Sequence, residues 1–218
     1  MGNIGTRRTS FRLYLITDRK YAGVDRLIPA CEEALAAGAR RPGAIAIQLR
    51  EKDLGGRELY ELGAALRALC AQYGAPLLIN DRIDVALALD ADGVHLPEDS
   101  FAPADARRLL GPSRLIGVST HDANEAARAA RLDADFAVFG PVFDPLSKTS
   151  GYAPARGPDR LAAACRTAEI PIYALGGITA ERARQIADTG AAGVAAIGSV
   201  FGAPSPYRAA CELLDALS

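Results

Sequence analysis

Eight short runs rich in β-branched and aromatic residues recur about every 27 residues, separated by segments of helical periodicity. They are FRLYLIT (11–17), AIAIQLR (44–50), PLLIN (76–80), DGVHL (92–96), RLIGVS (114–119), DFAVFG (135–140), IPIYALG (170–176) and AGVAAIG (192–198). The clearest helix is GRELYELGAALRALCAQYG (56–74), with leucines three and four residues apart. Regular alternation predicts βαβ units on a parallel sheet. Eight units with none left over predict an α/β fold closed as a single (β/α)8 TIM barrel rather than an open doubly wound sheet. No GxGxxG follows the first run, which argues against a dinucleotide fold. With no linker or low-complexity stretch, one domain is expected over residues 1–218, with 1–10 as a disordered leader.

The formal net charge of −1 gives no sign of a nucleic-acid partner. No apolar stretch approaches the roughly 20 residues of a membrane span, and the N-terminus lacks a secretory signal. MGNIGT fits the loose N-myristoylation pattern through Gly2 and Thr6, the alternative being an untethered leader. Cys31, Cys70, Cys165 and Cys211 are far apart, fall in helical patterns and form no CxxC pair. They read as small apolar residues on helix faces, in keeping with a reducing, cytoplasmic location.

A barrel of this kind carries its site at the C-terminal mouth. Polar and glycine residues gather at that end of every expected strand. In GAIAIQLREKD (43–53), Ile45, Ile47 and Leu49 share the face that helices would cover. Gln48, Arg50 and Lys52 share the opposite, enclosed face with Ala44 and Ala46. Enclosed cations need an anion, either an internal carboxylate or a substrate. With Lys148 from the sixth loop, Arg50 and Lys52 suit a pyrophosphate, bound or leaving.

Gly176-Gly177 and Gly198-Ser199 end the seventh and eighth strands, where barrels commonly bind phosphate through backbone N–H groups. The bland alternative is ordinary strand-to-helix turns. Asn80-Asp81 and Glu98/Asp99 end neighbouring strands, so two carboxylates beside a phosphate would suit Mg²⁺. Alternatively Asp81 caps the helix RIDVALAL and the acidic turn is simply solvated. His95 alternates with Val94 and Leu96, so it is expected in the barrel interior as a hydrogen-bonded core residue. His121, just past Ser119, suits either acid/base work or a structural role at a helix start.

In chain order, YLITD, QLREKD, INDRIDVALALDADGVHL, LIGVSTH, FGPVF, ALGGIT and GSVFGAP resemble the thiamine phosphate synthases and the related thiazole tautomerases. The resemblance to the synthases implies a transferase that couples hydroxymethylpyrimidine pyrophosphate with hydroxyethylthiazole phosphate. The products would be thiamine phosphate and pyrophosphate. It also implies that Gln48, Arg50, Lys52, Asn80 and Lys148 contact the pyrimidine pyrophosphate, joined by Ser147, while Ser119 holds the pyrimidine. Arg50, Lys52, Ser119 and Lys148 would then be the catalytic set. Gly177, Gly198 and Ser199 would hold the thiazole phosphate, and Asp81 with Asp99 would bind Mg²⁺. Homo-oligomers are common in this superfamily, and the expectation here rests on resemblance alone.

Two departures bear on the branch. The synthase pattern after the fourth-strand histidine runs roughly H-x-G-Q-E-D, whereas this chain has HLPEDS, one residue shorter. The second metal ligand is therefore Asp99 in a shifted loop, Glu98, or neither. The sixth loop reads DPLSK, with Pro145 replacing a threonine while Ser147 and Lys148 remain. The short HLPEDS turn resembles the tautomerase branch, in which the acid/base histidine matches His121 and no Mg²⁺ is used. GPVF, Gln48, Arg50, Lys52 and Lys148 resemble the synthase instead. A third alternative is a regulator that binds thiazole or thiamine phosphate without turnover. The Gly, Ser and Pro content of residues 147–157 suits a lid.

Overall fold

The computed structural model describes residues 9–144 and 153–218. Strands β1 (Leu13–Ile16), β2 (Ile45–Leu49), β3 (Leu77–Asn80), β4 (Gly93–Leu96), β5 (Leu115–Thr120), β6 (Phe136–Phe139), β7 (Ile172–Ala174) and β8 (Gly193–Ala196) close into a barrel in chain order. All pairs are parallel, and β1 closes onto β8 with Leu13 opposite Val194. The expected (β/α)8 TIM barrel is therefore the observed fold.

A short helix α1 (Arg19–Ala22) follows β1. The outer layer comprises α2 (Leu27–Ala36), α3 (Gly56–Tyr73), α4 (Ile83–Ala88), α5 (Pro103–Leu110), α6 (Ala123–Arg131), α7 (Pro158–Thr167) and α8 (Ala180–Gln185). A second short helix, α9 (Gly198–Phe201), precedes the last outer helix, α10 (Pro206–Ala216). Among the described residues no helix is long and apolar enough to cross a membrane.

Strand alternation splits the apolar residues into two cores. Ile45, Ile47 and Leu49 join the outer core with helix residues such as Leu35 and Leu66. Ala46 joins the inner core with Tyr14, Ile16, Leu78, Val138 and Ala195. Ala44, which strict alternation would send inward, precedes the first residue of β2 and belongs to the outer core. All four cysteines are free. Burial raises the Cys70 thiol to about 12, so it stays protonated and inert.

The rings of Phe11, Tyr14, Phe136 and Tyr173 fill the barrel below its mouth. Phe11 stacks on Tyr173 with centroids 4.7 Å apart, and Tyr14 meets Phe136 edge-on at 5.4 Å. Gly117 on β5 makes room for this layer, since a Cβ there would lie 2.2 Å from the Phe136 ring. Residues 1–8 of the expected leader lie outside the described residues. Thr9 Oγ1 lies 2.6 Å from the Tyr173 hydroxyl, which donates to Phe11 O at 2.8 Å.

At the N-terminal end, an aspartate just before one strand receives an N–H from the strand before it. Asp92 accepts from Leu77 N at 2.8 Å and from Arg67 of α3 at 2.9 Å. Asp135 repeats the arrangement, accepting from Ile116 N at 2.7 Å and from Arg107 of α5 at 2.6 Å.

Candidate active site

The C-terminal mouth holds a cavity of about 730 Å³. Its floor is built from inward-facing residues of four successive strands: Gln48, Asn80, His95 and Ser119. Gln48 is 1% exposed and its Nε2 donates to Asn80 Oδ1 at 2.9 Å. Its Oε1 is buried with no hydrogen-bond partner. A buried acceptor left unmet is costly, so this oxygen is an opening for a ligand N–H.

His95 is the interior histidine that alternation predicts, 3% exposed, with Nε2 3.0 Å from Ser119 Oγ. Its Nδ1 lies 3.5 Å from the Tyr14 hydroxyl. Burial, with a smaller contribution from the positive charge of Arg50, pushes its pKa down to about 3. The imidazole is therefore neutral at physiological pH.

Arg50, half-buried, and Lys52 line the cavity, and among the described residues neither side chain makes a hydrogen bond or ion pair. Lys52 is exposed at the rim rather than enclosed as alternation predicts, because it lies beyond the end of β2. Their backbone is held from behind. Arg50 N donates to Thr17 Oγ1 at 2.9 Å. Glu51, between them, is buried, accepts from Arg19 N at 3.2 and 3.3 Å, and pairs with the Arg19 guanidinium at 3.5 Å. Burial raises the Glu51 carboxyl, opposed by its hydrogen bonds to Thr17 and Arg19.

Asp81, with a left-handed φ of 63°, does not cap α4, because Arg82 takes the N-cap position. The Asp81 carboxylate instead accepts the Ser100 hydroxyl. Glu98 and Asp99 border the cavity. The side chain that meets Asp81 is thus that of Ser100, with Asp99 one residue away. Among the described residues no three His, Cys, Asp or Glu side chains gather into a metal cluster.

The His121 ring also lines the cavity. Its Nδ1 donates to Gly140 O at 2.6 Å, and Nε2 lies 3.5 Å from Glu98 Oε2. The start of α6 is capped by Asp122, which accepts from Glu125 N at 2.8 Å, so the imidazole has no capping duty.

Gly176, Gly177, Gly198 and Ser199 border the opposite side. Gly177 has φ +59°, and a Cβ there would lie 2.2 Å from Asp144 O. Arg182 Nη1 donates to Gly177 O at 2.7 Å and to Asp144 O at 3.1 Å, tying the seventh-strand loop to the sixth. Ser147 and Lys148, and most of the expected 147–157 lid, lie outside the described residues.

The structure thus brings Gln48, Arg50, Lys52, Asn80, Asp99, Ser119, His121, Gly177, Gly198 and Ser199 to one cavity, with Asp81 exposed beside Asn80. Sequence reasoning missed Tyr14 and Arg182. Tyr14 alternates with Ile16 on the inner face and was within reach of the same pattern. Arg182 sits in an ordinary first helical turn and carried no signal.

The chain matches the family model described as thiamine monophosphate synthase over residues 13–200. It is 46% identical to a thiamine-phosphate synthase of Chlorobium luteolum, across 93% of this chain and 91% of that protein. A thiamine-phosphate synthase of Roseiflexus castenholzii is 44% identical, across 93% and 86% of the two chains. The solved structure of a thiamine phosphate pyrophosphorylase from Pyrococcus furiosus superposes with a TM-score of 0.84 at 36% identity, covering 96% of each chain. Similarity at this level over nearly the whole barrel is decisive, and the chain belongs to the thiamine monophosphate synthase family of enzymes.

Proposed function

We infer that the protein couples hydroxymethylpyrimidine pyrophosphate with hydroxyethylthiazole phosphate, releasing pyrophosphate and giving thiamine phosphate. The observation that carries this reading is the pairing of two needs in one cavity. Gln48 Oε1 lacks a donor, and Arg50 and Lys52 lack an anion among the described residues. An aminopyrimidine pyrophosphate meets both at once.

In this reading Gln48, Asn80 and Ser119 orient the pyrimidine. Arg50 and Lys52, with Lys148 and Ser147, receive the charge that grows on the pyrophosphate as its C–O bond breaks. Backbone N–H groups around Gly177, Gly198 and Ser199 hold the thiazole phosphate so that its ring nitrogen faces the pyrimidine-methyl cation. No strong base is required, in keeping with the neutral His95 at the floor.

Asp81 and Asp99 supply the two carboxylates that Mg²⁺ takes when phosphate oxygens and water complete its shell. Two hard carboxylate donors suit a cation whose remaining ligands are substrate phosphate oxygens and water. Bound Mg²⁺ would add charge neutralisation on the departing pyrophosphate. A cytoplasmic location fits a chain with four free thiols and no membrane-crossing helix among the described residues. Homo-oligomerisation is proposed on family grounds alone.

The test is a coupled assay with both substrates and Mg²⁺, measuring thiamine phosphate and pyrophosphate, with Asp81→Ala as control. Metal-dependent product that falls in the control is the expected result. One observation favours a second reading, isomerisation of a carboxythiazole phosphate. Ser100, an uncharged residue, meets Asp81, while His121 Nε2 faces the cavity beside Glu98. Isomerisation that requires His121, with no coupling activity, would replace the first reading with the second.

A further inference from the structure

We propose that Tyr14 and His95 act as positioning residues that fix the Ser119 hydroxyl as a hydrogen-bond donor to the ligand in the cavity. The catalytic part of this inference rests on Ser119 touching the substrate. The proton arrangement itself does not.

Tyr14 is fully buried, with the rings of Phe11 and Phe136 each 5.4 Å from its own. Among the described residues its hydroxyl has one hydrogen-bonding neighbour, His95 Nδ1. A phenol proton enclosed by apolar rings must find an acceptor, and the Nδ1 lone pair is the one in reach. That choice places the single imidazole proton on Nε2, 3.0 Å from Ser119 Oγ. Nε2–H then donates to Oγ, and the proton of Ser119 is left to point into the cavity.

The opposite tautomer would strand the Tyr14 proton in the aromatic layer. It would also turn the Ser119 proton back toward His95, leaving only an acceptor at the mouth. The chain of contacts runs from β1 through β4 to β5, so the barrel interior sets the polarity of one group on the cavity floor. With Gln48 Oε1 as an unmet acceptor, these two groups set an acceptor and a donor on the floor. Ligands carrying a lone pair opposite Ser119 and an N–H opposite Gln48 are selected.

The chain has two histidines, so nitrogen-15 spectra of histidine-labelled protein contain two imidazoles, and His121→Asn assigns them. At pH 7.5 His95 is expected as the Nε2–H tautomer in wild type and in Ser119→Ala. In Tyr14→Phe, which keeps the ring, Nδ1–H signal should emerge. In the coupled assay the same variant should lose about tenfold in kcat, the size of one hydrogen bond, with both KM values within about twofold. A wild-type Nδ1–H tautomer, an unmoved tautomer in Tyr14→Phe, or a flip in Ser119→Ala each overturns the arrangement. A tautomer shift with unchanged kcat overturns its role in catalysis. If wild type lacks coupling activity, the functional reading fails while the spectra still decide the proton arrangement.

Discussion

At the base of the barrel, charges near the strand ends meet their opposites: Asp92 with Arg67, Asp135 with Arg107, and Arg114 with Asp90 at 2.6 Å. At the mouth, Arg50 and Lys52 line the cavity without an acidic partner among the described residues. Both ends are built from the same strands, so the difference is one of assignment. The base spends its charges on strand N–H groups, which locks neighbouring strands together. The mouth holds its cations by their backbone, through Thr17, Glu51 and Arg19, and leaves their side chains for a ligand. Self-sufficiency at one end frees the other to be electrostatically incomplete.

The largest effect should come from breaking the base. Asp135→Ala removes the partner of the half-enclosed Arg107 and of Ile116 N, and should cost about 3 kcal/mol in urea unfolding. Activity per folded molecule should not change. Next is the mouth: Arg50→Ala should lower coupling about a hundredfold, the scale of losing a charge-stabilising donor. Its stability should stay within about 0.5 kcal/mol, because no internal partner is lost. Comparable loss of stability in both variants would dissolve the contrast between the two ends.

A third effect is pH-dependent. The folded chain holds His95 at about 3, below its ordinary 6.5. Below pH 6.5 the unfolded chain therefore takes up a proton that the folded chain refuses. This contribution is complete above pH 6.5 and fades as pH falls toward 3, with about 2 kcal/mol of it lost by pH 5. Denaturation midpoints from pH 7 to pH 4 should fall more steeply in wild type than in His95→Gln. The smallest effect is expected on the surface: Asp84→Ala breaks the exposed pair with Arg82 and should shift stability by no more than about 0.5 kcal/mol.

Most of this was legible from period and alternation. Each of the eight apolar runs contains or overlaps a strand whose ends fall within two residues of it. Gln48 lines the cavity while Ile47 and Leu49 join the outer core, because a β-strand leaves its side chains no other choice. What escaped reading was contact between distant segments. Alternation turns Glu51 away from the mouth, but its pairing with Arg19 needs the α1 turn in place. The Ser100 hydroxyl that Asp81 accepts comes from the short turn after β4, where only the acidic Glu98 and Asp99 carried a signal. The tie from Tyr14 through His95 to Ser119 joins three strands, and no local pattern encodes it.

The four-ring layer below the cavity has a kinetic consequence. With Phe11, Tyr14, Phe136 and Tyr173 stoppering the barrel, the cavity ends on a floor of rings among the described residues and opens toward the mouth. When two molecules share such a space, the one seated deeper must enter first and cannot depart while its companion blocks the way. Two ligands sharing this floor are expected to come and go in order, the deeper one first in and last out, and product-inhibition patterns check it.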